Sequence, residues 1–279
     1  MGEQKPKQVV EWSFSFGDVG DSINKTLKQL GADAEIKESH FSEPVGTTKT
    51  ARIRLDLATG KMVVRALTNS ENLIEADVRH IGEMEFSVSG ESDKVVRLGQ
   101  KNNGVIAGPI KDFLNTLSNH DELRWEIGLA ANIPLDLEIH GGVGQSKLDL
   151  SGLQIRHLKL GSGVGEVHLD LPAMPEPYSV EIDGGVGETS VTIAEGAAVR
   201  LRASGGVGSV KLRLPESSAA RIEVQGGLGG AKMAPRFTRV KAGSDFISPS
   251  GTWETPGYAL AAHQIVVHFS GGVGELKVS

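Results

Sequence analysis

Cysteine is absent from the 279 residues of this chain, which excludes a disulfide framework and a thiol nucleophile. No apolar run approaches the roughly 20 residues of a membrane-spanning helix, and the polar residues 1–8 lack the apolar stretch of a signal peptide. The net charge is −6 and lysine and arginine form no dense cluster, so nucleic acid is not an expected partner. We therefore expect either a cytoplasmic protein, if Met1 is native, or a protein whose signal or anchor is not included in this sequence.

Glycine, by contrast, is abundant and periodic. The tetrapeptide Gly-Gly-Val-Gly, or a near copy, occurs six times, at residues 141–144, 162–165, 184–187, 205–208, 226–229 and 271–274. The central apolar residues of successive copies are 21, 22, 21, 21 and 45 positions apart. A fixed period of this length is typical of stacked repeats. The last step is close to two periods, which predicts one degenerate rung at residues 237–258.

Apolar and polar residues alternate on both sides of each motif. Around the first copy, Leu137 and Ile139 precede the glycines, and Leu148 and Leu150 follow them. Such alternation indicates half-buried strands, so each rung is predicted to be strand, glycine corner, strand and loop. Glycine permits positive φ at such a corner, and we expect the central valine to turn into the core. The predicted corner glycines are Gly142, Gly144, Gly163, Gly165, Gly185, Gly187, Gly206, Gly208, Gly227, Gly229, Gly272 and Gly274.

The predicted fold class is therefore all-β, a parallel β-solenoid with rungs of about 21 residues. A polar column three residues before each motif fits stacking, because its charges alternate in sign and would pair between neighbouring rungs. This column consists of Glu138, Lys159, Glu181, Arg202, Glu223 and His268.

The N-terminal part has a different pattern. Trp12, Phe14 and Phe16 alternate with serines, which predicts a short strand. Residues 21–30 are predicted to form one short helix, with Ile23, Leu27 and Leu30 on one face. Residues 51–64 resemble a rung outside the main array. We predict an N-terminal extension at 1–44, a β-rich module at 45–120 that caps the stack, and the solenoid at 121–279.

The glycine repeats do not fit the known nucleotide-binding or calcium-binding sequence motifs. A dinucleotide fingerprint requires a helix after its glycines, but here an alternating strand follows. Calcium-binding β-rolls have a nine-residue period and an aspartate after the glycines. The six residues at that position are not carboxylates: they are Ser146, Val167, Thr189, Val210, Ala231 and Leu276.

No catalytic or metal-binding set is expected either. His140, His157 and His168 lie in the first two rungs, but each is out of phase with the buried residues and is expected on the surface. No motif singles out a Ser, His and acid set or a carboxylate pair. The sequence therefore predicts a non-enzymatic protein without catalytic residues, metal or cofactor.

Three stretches of this sequence resemble bacterial toast-rack proteins, which are related to the C-terminal domain of LiaF-type envelope-stress regulators and to bacterial adhesins. They are ARIRLDLATGKMVVRALTNSENLIEA at 51–76, WEIGLAANIPLDLEIHGGVGQSKLDLSGLQIRHLKLGSGVGEVHLDL at 125–171, and GTWETPGYALAAHQIVVHFSGGVGELKVS at 251–279. The resemblance covers about residues 45–279 and leaves 1–44 unmatched. It implies a β-solenoid of single-sheet rungs at the bacterial cell envelope, on the extracytoplasmic side, and carries no catalytic residues.

The resulting functional hypothesis is a non-enzymatic envelope scaffold that binds a protein, an envelope component or a second copy of itself. For self-association we expect the C-terminal rung, with Val267 and Phe269, to be the exposed end. A second hypothesis is an envelope-stress sensor that docks a membrane protein through residues 1–44, using the aromatic strand and the helix. A third is a carbohydrate-binding or carbohydrate-active protein in which Trp253 and Tyr258 stack on a sugar.

Overall fold

The structure is a computed structural model that describes residues 36–57, 59–101, 123–174, 176–243 and 250–279. These residues form β-strands and a single 3₁₀ turn at Tyr258–Leu260, so the predicted all-β class is confirmed. The predicted helix at 21–30 and the predicted strand at 12–16 lie outside the described residues. The strands, in chain order, are β1 (Lys37–Pro44), β2 (Thr50–Asp56), β3 (Thr59–Ala66), β4 (Asn72–His80), β5 (Met84–Ser89), β6 (Asp93–Gln100), β7 (Arg124–Leu129), β8 (Pro134–His140), β9 (Val143–Asp149), β10 (Gln154–Gly161), β11 (Val164–Leu171), β12 (Tyr178–Asp183), β13 (Val186–Ile193), β14 (Val199–Ser204), β15 (Val207–Arg213), β16 (Ala219–Gln225), β17 (Leu228–Met233), β18 (Thr238–Ala242), β19 (Gly251–Glu254), β20 (Gln264–Ser270) and β21 (Val273–Val278).

The strands belong to two sheets that share one core. Sheet A has the order β1-β4-β7-β3-β9-β11-β13-β15-β21-β17, and sheet B has the order β18-β19-β16-β20-β14-β12-β10-β8-β2-β6-β5. Each rung is a strand of sheet B, a corner and a strand of sheet A, and equivalent strands of neighbouring rungs pair in parallel. The predicted strand, corner, strand order is therefore present. The expectation of single-sheet rungs is wrong, because the corner passes the chain from one sheet to the other.

The core lies between the sheets and consists of columns of aliphatic side chains. One column of sheet B has one member from each of eight rungs, and each member is at most 1% exposed: Val96, Ile53, Leu137, Leu158, Val180, Leu201, Val267 and Ile222. Burying one such side chain contributes roughly 1.5–3 kcal/mol. The alternating pattern of the sequence is what supplies these columns, since every second side chain of a strand faces the same side.

The C-terminal rung lies inside the stack. Strand β20 pairs with β14 on one side and β16 on the other, and β21 lies between β15 and β17. Val267 is fully buried and Phe269 is 8% exposed. The expectation that this rung forms the exposed end is wrong, because the chain returns from β19 and inserts its last two strands between rungs that were formed earlier in the sequence.

The segment predicted as a degenerate rung forms an antiparallel cap. Strand β19 pairs antiparallel with β16, and β18 pairs antiparallel with β19. Both strands extend sheet B only, so the step of 45 residues does not contain a second rung. At the opposite end, β4 and β1 cap sheet A and β5 caps sheet B, again in antiparallel pairs.

Residues from both predicted domains form the same two sheets. The β2–β3 unit pairs with β8–β9, and Gly60 lies in register with Gly144. The segment predicted to resemble a rung is therefore stacked directly on the main array. The division at residue 120 remains a prediction.

Candidate functional site

The glycine corners form one continuous edge of the stack. The last glycine of each motif has a φ between +134° and +151°, a range that glycine adopts far more readily than other residues. A Cβ placed on Gly187 would lie 2.0 Å from the carbonyl oxygen of Gly165 in the next rung, and the same contact recurs at Gly165 and Gly208. The repeated glycine is therefore required twice, by the backbone angle and by the close approach of neighbouring rungs.

Backbone hydrogen bonds continue through the corners. The amide of Gly141 donates to the carbonyl of Gly161 at 2.7 Å. The amide of Val164 donates to the carbonyl of Gly142 at 2.8 Å. Equivalent bonds link the later rungs, for example from Val207 to Gly185 at 2.9 Å. Because the backbone of this edge is hydrogen-bonded along its length, the Cα–Cβ bonds of its residues point in fixed directions.

The motif valines face solvent, so the expectation that they turn into the core is wrong. Val164, Val186, Val207 and Val273 are 47%, 38%, 53% and 52% exposed. The valine is the first residue of its sheet A strand, and the buried residues of that strand have the opposite parity. Alternation therefore places the valine on the outer face.

These valines form a line that we call the valine stripe, defined as Val143, Val164, Val186, Val207 and Val273, which lie in register on neighbouring strands. Five strands at about 4.8 Å make the stripe about 19 Å long. Glycines border it on one side, and Glu166, Glu188 and Glu275 follow two residues after their valines on the other. A contiguous exposed apolar line on a rigid edge is typical of an interaction site.

The same corners line a partly open cavity of about 50 Å³, which also touches Val164, Val186, Val207 and Val273 of the valine stripe. It is lined by Ser146, Val167, Thr189 and the corner glycines, among others. Pockets for small-molecule ligands usually measure several hundred Å³. This cavity is therefore too small for a small-molecule substrate, and the outer face of the edge is the better candidate site.

The aromatic residues proposed for sugar stacking have partners of their own. The guanidinium of Arg239 lies 5.2 Å from the ring centroid of Trp253, and that of Arg221 lies 5.6 Å from the ring of Tyr258. Trp253 also packs against the core. On the ring face that the arginine occupies, a sugar would have to displace it, so this geometry does not favour carbohydrate stacking there.

The other predicted interaction residues are not at this edge. Val267 and Phe269 are buried in the core, as described above. The remaining candidates, Trp12, Phe14, Phe16, Ile23, Leu27 and Leu30, lie outside the described residues. The sequence analysis did not predict that the motif valines form an exposed surface. Val143 and Val164 are each five residues before a buried leucine, Leu148 and Leu169, and this odd spacing places them on the opposite face of the strand.

The three histidines do not converge. His140 contacts Glu138 at 2.8 Å and His157 contacts Ser179 at 2.7 Å on sheet B, whereas His168 belongs to sheet A. Within the described ranges there is no group of three or more His, Cys, Asp or Glu side chains that could hold a metal ion.

The outer faces carry ladders of charge. On sheet B, Arg54 lies 3.5 Å from Glu138 and Arg202 lies 3.8 Å from Glu181. The inserted strand places His268 beside Glu223, with Nδ1 and Oε2 3.0 Å apart. The predicted charge column is present as far as Arg202, but the inserted β20 places His268 between Arg202 and Glu223, so the predicted alternation is interrupted there.

One pair beside the valine stripe should respond to pH. The ammonium of Lys211 donates to Glu188 at 2.6 Å, and this hydrogen bond is the main cause of the lowered pKa of Glu188. A pKa that is lower in the folded state stabilises the fold above pH 4.5, and the stabilisation is lost as the pH falls further. Because both side chains are about one-third exposed, we expect at most about 1 kcal/mol.

The measurement is urea unfolding at pH 7 and near pH 3. Wild type should lose more stability between the two pH values than E188Q, whose side chain does not titrate. Equal losses in the two proteins would contradict a contribution of this pair.

Among the described residues, no helix is long and apolar enough to span a membrane. No curated protein matches the chain.

Two solved structures match the chain, and the first of them has a similar fold. The crystal structure of a putative cell adhesion protein from Clostridium sporogenes has 21% sequence identity, covers 88% of this chain and 99% of its own, and has a TM-score of 0.61. A putative adhesin from Bacteroides fragilis has 12% identity, covers 89% of this chain and 100% of its own, and has a TM-score of 0.34.

A family model described as the N-terminal domain of toast_rack, DUF2154, matches residues 25–192. This match spans more than half of the 279 residues. It includes the whole of the first two stretches on which the resemblance was based, at 51–76 and 125–171. The chain therefore belongs to the toast_rack family.

Proposed function

We propose that this protein is a non-enzymatic interaction protein of the bacterial cell envelope, and that it binds another protein through the valine stripe. The observation that carries the proposal is the line of motif valines, four of which are 38–53% exposed on successive rungs. Exposed apolar residues that occur singly need no explanation, but a contiguous line of them does.

The rigidity of the edge supports this function. Parallel pairing and the corner hydrogen bonds hold the valines about 4.8 Å apart before any partner arrives. A pre-organised surface loses little conformational entropy on binding, so even a narrow apolar contact is effective. The exposed Glu166 beside the stripe favours a partner with a basic residue next to its apolar contact.

The envelope location and the adhesive role are supported by likeness alone. The resemblance to envelope proteins and the similar fold of a protein named as a putative cell adhesion protein both favour them. That structural likeness, at 21% identity, is a likeness of fold. The valine stripe is the feature of this chain that gives the proposal a specific test.

The test measures binding of the full chain to an immobilised bacterial envelope fraction, before and after the fraction is treated with protease. We expect the double variant V186S/V207S to bind about tenfold more weakly, because two exposed apolar contacts are lost at the centre of the stripe. The two side chains face solvent, so stability should stay within about 0.5 kcal/mol of wild type.

The matched control is V240S. Val240 is 52% exposed but lies on β18, away from the stripe, so this variant should bind like wild type. Equal binding by V186S/V207S would exclude the stripe. Undiminished binding to the protease-treated fraction would exclude a protein partner.

A further inference from the structure

The two sheets end unevenly. Beyond the terminal rung β6–β7, sheet A carries β4 and β1 and sheet B carries β5; beyond the terminal rung β16–β17, sheet B carries β19 and β18. Sheet A ends at β17 in the part of the chain that the structure describes. Three of the four sheet ends thus have an antiparallel cap strand, and the edge of β17 has none among the described residues.

The edge of β17 has backbone groups directed outward. The amide of Ala234 donates to the carbonyl of Val278 in β21 at 2.9 Å. Because alternate residues of a parallel strand face opposite neighbours, Gly229, Ala231 and Met233 direct their amides and carbonyls away from β21. A strand edge of this kind is a template for a further strand.

The core behind this edge is only partly covered. At the other end of the stack, Phe41 of sheet A meets Phe86 of sheet B with ring centroids 5.2 Å apart. At this end, Trp253 of sheet B is half-buried, and its described ring partner is Arg239 rather than an aromatic residue of sheet A. Ala231 and Met233 are also only partly buried although they pack on the core. An aromatic strand added to sheet A would complete this end as Phe41 and Phe86 complete the other.

The number of cap strands in each sheet shows how the β16–β17 end of one copy could meet the β6–β7 end of a second copy. Between the last rung of one copy and the first rung of the next, sheet B would supply β19, β18 and β5, and sheet A would supply only β1 and β4. Among the described strands, sheet A is therefore short by one strand. Strand directions agree, since β18 and β5 would meet antiparallel, whereas β17 and β1 would meet in parallel unless one reversed strand lay between them.

We propose that copies of this chain stack head to tail, and that residues 10–16 of one copy form the missing strand on β17 of the next. The segment alternates Trp12, Phe14 and Phe16 with serines, which gives one aromatic face for the core and one polar face for solvent. It precedes β1 in the chain, and β1 begins on the corner side of sheet A. The segment can therefore turn back beside its own β1 as the reversed strand that the junction lacks.

Distance and charge both favour a second copy as the donor. Within one molecule, β1 and β17 are nine strand spacings apart in sheet A, about 43 Å. In the stack, the donated strand lies beside its own β1 and beside the partner's edge. The sheet B strands that meet at the junction have opposite charge, with Arg239 and Lys241 on β18 and Glu85 on β5. The valine stripe takes no part, so this inference is independent of the proposed partner binding.

The experiment is light scattering of the full chain across a concentration series, with one variant blocked at each end. A231P removes an outward amide of β17, and W12S/F14S/F16S removes the aromatic face of the donor strand. Wild type should increase in mass with concentration, since copies stacked along one axis always leave a free head and a free tail. Each variant should associate at least about tenfold more weakly. An equimolar mixture of the two variants should form a 1:1 dimer and nothing larger, because one intact head meets one intact tail.

Three matched control variants distinguish loss of the strand pairing at the junction from a general loss of stability. A231S keeps the outward amide, S13A/S15A changes only the polar face of the donor strand, and V186S/V207S changes only the valine stripe; all three should assemble like wild type. The urea unfolding midpoint of the triple serine variant is measured alongside, and an unchanged midpoint separates lost pairing from a destabilised core.

Any of three results would overturn the proposal. The first is a wild-type chain that stays monomeric at every concentration, and the second is a triple serine variant that assembles like wild type. The third is slow hydrogen exchange of the Gly229, Ala231 and Met233 amides in a monomeric sample, which would mean that a strand of the same chain already covers the edge.

Discussion

G187A should unfold at a much lower urea concentration than wild type. Its Cβ would lie 2.0 Å from the carbonyl oxygen and 2.9 Å from the carbonyl carbon of Gly165, and φ at this position is +134°. Both neighbours are backbone atoms of a hydrogen-bonded rung, so neither can move aside cheaply. Steric crowding and backbone strain each cost about 1–3 kcal/mol, and together we expect about 4 kcal/mol. Urea unfolding followed by circular dichroism measures this loss.

Two other glycines separate these contributions. Gly230 has open space at its Cβ position and no left-handed φ, so G230A should stay within about 0.5 kcal/mol of wild type. Gly196 also has open space but a φ of +78°, so G196A reports backbone strain alone, about 1 kcal/mol. If G187A unfolded at the same urea concentration as G230A, the corner would not require glycine.

V267D should prevent stable folding. Val267 is fully buried in strand β20, between Leu201 of β14 and Ile222 of β16. A carboxylate at this position would lie among aliphatic side chains without a partner, which costs more than about 4 kcal/mol. The measurement is the yield of soluble protein together with its urea unfolding midpoint.

V266D is the matched control because it places the same change on the opposite face of the same strand. Val266 lies in register with Arg200 on one side and Arg221 on the other. A carboxylate there would gain cationic neighbours, so stability should change by less than about 1 kcal/mol. Were the C-terminal rung the exposed end of the stack, V267D would be tolerated nearly as well as V266D. Similar midpoints for the two variants would contradict the inserted position of β20.

The local architecture could be predicted from the sequence because it depends on neighbouring residues. Alternation of Leu137 and Ile139 with polar residues identifies strands, and the recurring glycines identify the corners between them. The period near 21 residues then indicates stacking in register, and the opposite charges of Glu181 and Arg202 support it. Family membership depends on the same local patterns.

The outward orientation of the motif valines was decided by the geometry of the corner, which the local pattern alone does not specify. A corner resets the alternation of side chains, and its geometry decides which residue begins the next strand. Val186 is the first residue of β13, so it faces out with Glu188, and Thr189 faces in. The valine stripe and the proposed binding surface depend on that single choice.

The order of the rungs was decided by tertiary structure alone. Because all rungs carry nearly the same motif, the edge of one rung fits the edge of almost any other, and local sequence cannot specify which strands become neighbours. The cap strands β18 and β19 occupy the outer edge of β16, and residues 255–263 return the chain to the inner side of that strand. The last rung therefore enters between β14 and β16, which leaves β17 at the end of sheet A.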